Sequence, residues 1–221
     1  MSGTPVRILL ARHGETLFNV EGRWQGQSDS PLTERGLAQA RELGRALNAE
    51  AIAAVYSSDL GRAMQTAQEV ATLHGLIVRP EVRLREIDTG GFTRKNWAEI
   101  DAEYPGQREI WSKTPASLRM PGGETLLEAQ TRALAFIAET MPRHADQTIV
   151  IISHGGIGQA ILVNAMGRTL DDLWLTERVD NCQISRLEWT PDDGLKLVEL
   201  SDVRHLEEVG SLRKWRTTDA A

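Results

Sequence analysis

The sequence predicts a three-layer α/β/α fold with a mostly parallel central sheet and a helical, loop-rich lid insertion. Three observations predict it. Short apolar runs alternate with amphipathic stretches of helical spacing along the chain. Two of those runs stop abruptly at a histidine followed by glycine, at His13-Gly14 and at His154-Gly155. A stretch over about 87–124 interrupts the alternation with Gly90-Gly91, Pro105-Gly106, Pro115 and Pro121-Gly122-Gly123.

The elements follow in order. Residues 6–11 read as a buried strand that runs into a loop at Arg12-His13-Gly14. Residues 19–32, rich in Gly, Ser, Asp and Gln, are loop. Thr33 caps a helix over 34–47, whose apolar face is Leu37, Ala40, Leu43 and Leu47. Residues 51–56 form a second strand. Ser57-Ser58 turn into a helix striped by Leu60, Ala63, Met64, Ala67 and Val70, with Gly75 at its exit. A third strand lies within 76–84, with Pro80 at an edge or bend. The 87–124 excursion crosses the sheet edge as a lid. A helix over 125–140, a strand over 148–153 and a helix from Gly155-Gly156 to near Gly167 follow. A hairpin closes the chain, with strands over 182–189 and 195–200 around a Pro191-Asp192-Asp193-Gly194 turn. Residues from about Lys214 are expected to fray.

A chain of 221 residues suits one domain over 1–221, able to bury a core without covalent staples. The single cysteine, Cys182, excludes an intrachain disulfide and reads as a small buried hydrophobe. With no secretory leader evident, a reducing, cytoplasmic setting is expected. No apolar run is long enough for a membrane span. A net charge of −6 argues against nucleic acid or an anionic membrane as partner. A small anion remains compatible if cations converge locally.

They are expected to converge at one sheet edge. His13 and His154 both follow strands, where ligand sites of open α/β sheets gather, so both imidazoles should face one crevice. The helix opened by Gly155 directs free N–H groups at an anion. Arg12 adjoins His13, and Arg62 lies in the first turn after the second strand; guanidinium groups match phosphate oxygens. Glu86 follows the third strand. A neutral imidazole is a nucleophile at neutral pH, two arginines neutralise a phosphoryl group, and a carboxylic acid of raised pKa can give and take the proton. Zinc is disfavoured, because the histidines lack close ligand spacing and Arg12 opposes a cation. No metal and no cofactor is expected.

Leu10-Ala11-Arg12-His13-Gly14-Glu15-Thr16 resembles the signature of the histidine phosphatase (phosphoglycerate mutase-like) superfamily. The resemblance continues through Asn19 and the block from Arg23 to Gly36. It resumes in Tyr56-Ser57-Ser58-Asp59-Leu60-Gly61-Arg62, Leu84-Arg85-Glu86, Gly122-Gly123-Glu124-Thr125 and Ser153-His154-Gly155-Gly156. Even Asp202-Val203-Arg204-His205-Leu206 is similar to the family's closing segment. The resemblance implies that His13 is the phosphorylated nucleophile, that Arg12, Arg62 and His154 form the phosphate pocket, and that Glu86 is the proton donor. It places Asn19, Gln25 and Gly26 on the substrate or phosphoryl group, with Gly155 donating its backbone N–H.

One segment departs from the family pattern. Thr89 stands where phenylalanine is more usual, and Arg94 where glycine is common. Arg94 and Lys95 thereby add two cations near the expected pocket mouth, suited to a second anionic group on the substrate or simply solvated on the lid. His74, His144 and His205 read as structural or surface residues, and the scattered tryptophans as packing. The function expected is metal-independent hydrolysis of a small phosphorylated metabolite through a phosphohistidine on His13. The alternatives are a primer-dependent phosphoglycerate mutase, disfavoured by the short insertion after Glu86, and a phosphate-ligand-binding scaffold with little turnover. Dimers occur in the family, so a homodimer is allowed; the sequence identifies no interface.

Overall fold

Strand β1 (Val6–Arg12) is buried on both of its faces, and that organises the molecule. Ile8 and Leu10 point into one apolar cluster, Leu9 and Ala11 into another. Strand β4 (Thr148–Ser153) repeats this, with Ile149 and Ile151 on one side and Val150 and Ile152 on the other. A strand apolar at every position needs cover on both sides, because alternate residues face opposite ways. Each of the leucine, isoleucine and valine side chains here stabilises the fold by about 1.5–3 kcal/mol relative to exposure.

The computed structural model describes residues 4–175 and 178–210. Its six strands run β3-β2-β4-β1-β5-β6. Strands β2 (Ile52–Ser57) and β3 (Val78–Pro80) continue the parallel part of the sheet beyond β4. Strands β5 (Ile184–Thr190) and β6 (Gly194–Asp202) add an antiparallel hairpin beside β1. Helices α2 (Glu34–Leu47) and α3 (Gly61–Leu73) cover one face, after a one-turn helix α1 (Leu17–Val20). The lid segment contributes α4 (Trp97–Glu103) and α5 (Gln107–Lys113). Helices α6 (Leu126–Thr140) and α7 (Gly155–Ala165) cover the second face. No helix among the described residues is long and apolar enough to cross a membrane.

Local chemistry explains most boundaries. The Thr33 side chain accepts the Gly36 N–H at 3.0 Å and starts α2. Thr125 and Glu128 form a reciprocal capping box at the head of α6. Two expected boundaries move. The third strand stops at Pro80, which has no N–H to donate onward, and the Glu81 carboxylate closes a 3-10 turn over Val82–Leu84 by accepting the Arg83 N–H at 3.0 Å. The hairpin begins at Ile184 because Cys182 takes a left-handed φ of 55° and gives its N–H to the Arg12 carbonyl at 3.0 Å. The expected fraying from about Lys214 falls outside the described residues.

Candidate active site

Adjacent parallel strands put the two histidines side by side. Arg12 pairs with Ser153 at the carboxyl ends of β1 and β4, and the next residue on each chain is a histidine. The His13 N–H continues the ladder to the Ser153 carbonyl at 3.0 Å. The rings meet edge to face with centroids 5.1 Å apart.

The partners of His13 settle where its proton is. His13 Nδ1 lies 2.7 Å from the Gly14 carbonyl, which can only accept, so Nδ1 carries hydrogen. His13 Nε2 receives the Arg62 Nε–H at 3.2 Å, and arginine can only donate, so Nε2 presents a lone pair. Burial, and then the charges of Arg62 and Arg12, hold His13 well below the ordinary histidine value of 6.5. The imidazole is therefore neutral near pH 7, with its free nitrogen at Nε2.

Ser58 Oγ accepts the Leu60 N–H at 3.3 Å and is hydrogen-bonded to His154 Nε2 at 2.8 Å. A hydroxyl oxygen accepts two hydrogen bonds and donates one, so this contact serves either tautomer of His154. His154 Nδ1 is buried and has no hydrogen-bond partner. Burial and the nearby Arg62, His13 and Arg12 hold His154 well below 6.5 as well.

Arg62, the second residue of α3, is 2% exposed. Its other donors reach the Ser28 carbonyl at 2.8 Å, Asp29 at 3.1 Å and the Gly26 carbonyl at 2.8 Å. Gly26 holds a left-handed φ of 51°, and a Cβ there would stand 2.2 Å from Thr89 Oγ1, so only glycine offers its carbonyl to Arg62 this way. Arg12 gives an N–H to the Val179 carbonyl at 2.8 Å, while its buried Nε has no partner. Burial draws Arg12 and Arg62 below the ordinary guanidinium value, opposed by Glu86.

Glu86 is held by backbone alone. Its carboxylate accepts the N–H groups of Ile87 at 3.0 Å, Gly156 at 2.9 Å and Ile157 at 3.0 Å. The last two open α7, so an acidic group sits at the positive end of that helix. A Cβ on Gly156 would come within 2.8 Å of the carboxylate, which explains the glycine. Asn19 spends its side-chain oxygen on the Thr16 N–H at 3.1 Å, leaving its NH2 to donate.

These groups surround a cavity of about 670 Å³. Arg12, His13, Asn19, Gln25 and Gly26 line it, with Arg62, Glu86 and Gly155. His154 is fully buried and is not among the lining residues; its ring packs 5.1 Å from that of His13. Two expectations need correction. Arg94 and Lys95 are not lining residues. Lys95 is drawn to the Gly91 carbonyl at 2.7 Å and to Glu103 at 2.6 Å, and Arg94 takes a left-handed φ of 66° with its N–H on the Trp24 carbonyl. The tryptophans are not merely scattered packing, since Trp24, Trp97, Trp111 and Trp174 all line the cavity.

Two further residues support the site though no role was assigned to them from sequence. Ser58, inside the Tyr56–Arg62 block, is hydrogen-bonded to His154 Nε2. Asn181, fully buried, donates to the His13 carbonyl at 2.8 Å. It could have been suspected only from its place before the hairpin that pairs with β1. Among the described residues no group of three or more His, Cys, Asp or Glu is placed to hold a metal ion.

Fold and site together define an α/β protein whose sheet edge presents a neutral imidazole between the guanidinium groups of buried Arg62 and partly buried Arg12, a site for a tetrahedral oxyanion. The chain belongs to the histidine phosphatase superfamily (branch 1), whose model matches residues 8–202. Its relatives are enzymes of that type. It is 36% identical over 169 residues to phosphoserine phosphatase 1 of Hydrogenobacter thermophilus, covering 76% of this chain and 80% of the relative. It is 33% identical over 208 residues to a probable phosphoglycerate mutase, GpmB, of Salmonella choleraesuis, covering 91% and 95%. The solved structure of Bacillus stearothermophilus YhfR superposes with a TM-score of 0.86 at 32% identity, over 91% of this chain and all of that one.

Proposed function

We propose that the protein hydrolyses a small phosphomonoester in two steps, without a metal, through a phosphohistidine on His13. One observation carries this reading: the neutral His13 offers a bare Nε2 in the same cavity as Arg12, whose buried Nε–H lacks a partner. Buried donors without partners are rare, and a phosphoryl oxygen would satisfy them. Arg12 and Arg62 neutralise the equatorial oxygens, which is most of what phosphoryl transfer asks of a protein.

In the first step Nε2 attacks phosphorus and the bond to the leaving oxygen breaks. Glu86 lines the same cavity and serves as the acid that hands a proton to the leaving oxygen. In the second step water attacks phosphorus, the P–N bond breaks, and Glu86 takes a proton from the water. The products are the alcohol, inorganic phosphate and neutral His13. The chain works as one domain, with 87–124 as a lid over the site.

The likeness to a probable phosphoglycerate mutase favours a second reading, in which the phosphoryl group returns to a sugar acid instead of passing to water. One set of assays separates the two. Chelator-treated protein turns over p-nitrophenyl phosphate, and quenching in base traps a phosphoenzyme that acid destroys, as a phosphoramidate should. Both signals vanish in His13→Ala. Turnover that needs added metal or survives His13→Ala refutes the mechanism. Activity on 3-phosphoglycerate that depends on a bisphosphate primer selects the mutase.

A further inference from the structure

The cavity is larger than its phosphate floor requires. Its volume of about 670 Å³ lies among sites that enclose drug-sized ligands, roughly 300–1,000 Å³. A leaving group joined to a phosphoryl group at His13 has to extend toward the lid side. There, four of the chain's six tryptophans form one continuous wall. Trp24 meets Trp97 and Trp111 edge to face, each with centroids 5.1 Å apart, and Trp111 meets Trp174 at 5.2 Å. The Trp174 indole N–H is spent on the Trp111 carbonyl at 2.6 Å, which fixes that end of the wall and withdraws a donor a hydroxyl-rich ligand could use. Arg108 and Arg178 line the cavity too, but each guanidinium lies over a ring of the wall, 5.1 Å from Trp97 and Trp174, and a polyol would lose water against the rings. A flat ring would gain offset or edge-on contacts with them.

Resting on the phosphatase reading above, we propose that the preferred substrate is a phosphomonoester whose leaving group carries a planar aromatic ring, seated against Trp24, Trp97, Trp111 and Trp174. Leaving-group reactivity would confound a comparison of aryl with alkyl phosphates, so the test is binding. Non-hydrolysable phosphonates are titrated into the full-length protein by calorimetry: 3-phenylpropyl-, 3-cyclohexylpropyl- and propylphosphonate. The phenyl compound is expected to bind at least about tenfold more tightly than propyl and about threefold more tightly than cyclohexyl. Trp97→Leu and Trp174→Leu are each expected to shrink the phenyl advantage while leaving propylphosphonate affinity within about twofold. Equal affinity for phenyl and cyclohexyl overturns the proposal, because the wall then reads apolar bulk alone. So does propyl binding as tightly as phenyl. The wild-type comparison stands even if a variant fails to fold. Turnover of p-nitrophenyl phosphate, measured alongside, tests the phosphatase reading separately: ring-selective binding without turnover removes that reading and leaves an aromatic phosphate-ligand site.

Discussion

On the floor of the cavity each side chain of the proposed chemistry sits within two residues of the end of a strand or helical turn; on the lid side the four tryptophans come from four separate segments. His13 and His154 directly follow β1 and β4, Arg62 is the second residue of α3, and Glu86 comes two residues after the turn at Val82–Leu84. Trp24 belongs to the loop after α1, Trp97 opens α4, Trp111 lies in α5 and Trp174 in the 3-10 turn Leu170–Leu175. The floor is held by backbone partners: Gly14, Gly26 and Ser28 carbonyls, and the N–H groups of Ile87, Gly156 and Ile157. The lid is held by ring contacts and by ion pairs at half-exposed sites, such as Arg108 with Asp101. Backbone-anchored groups hold reacting atoms to a fixed geometry. Ring contacts tolerate substitution, so chemistry and selectivity can vary independently.

The largest effect expected is on the floor. Loss of the nucleophile in His13→Ala should reduce kcat for p-nitrophenyl phosphate by at least about 10³-fold. Arg62→Lys keeps the charge but loses the fork that holds His13, Ser28 and Gly26 together; a fall of about 10²-fold in kcat is expected. A loss below about threefold would show that the buried guanidinium is structural only.

The pH dependence of stability tests the burial of the histidine pair. Both imidazoles sit well below 6.5 in the folded protein, so the unfolded chain binds more protons once pH drops through about that value. Stability is complete above about 6.5 and declines below it. Urea midpoints at pH 7.5 and 5.5 should show the decline, less steeply in His154→Gln; a flat wild-type profile would mean that the pair is not desolvated. In the same range, nitrogen-15 shifts should report hydrogen on His13 Nδ1 and none on Nε2.

Ser58→Ala removes the hydroxyl hydrogen-bonded to His154 Nε2 at 2.8 Å. About a tenfold loss in kcat is expected, the equivalent of one hydrogen bond. The His154 Nε2 nitrogen shift should then move, which loss of stability alone would not produce. The smallest effect belongs to the lid exterior. Lys95→Ala should leave kcat and KM near wild type, since Lys95 is occupied by Glu103 and Gly91; a several-fold rise in KM would return it to the site.

The floor was legible before the fold because strand ends leave local marks: an apolar run, a histidine and a glycine, twice. Neighbouring parallel strands convert that pattern into proximity, as His13 and His154 show. Asn181 left no such mark, and Ser58, though inside the Tyr56–Arg62 block, carried no readable role, since the parts of both depend on which strand lies next to which. The misplacement of Arg94 and Lys95 has a different cause. Closeness in sequence to Glu86 suggested closeness to the cavity, but a left-handed residue at Arg94 and an acid at Glu103 turn the segment aside.

Residue order and type alone therefore dictated the layered α/β arrangement, the two strand-end histidines and the arginines that accompany them, because apolar periodicity and turn chemistry act over a few residues. Tertiary structure decided that His13 lines the cavity with its Nε2 bare, and that four distant tryptophans meet above the site. Those outcomes depend on packing between segments tens of residues apart, and no short-range rule of spacing encodes it.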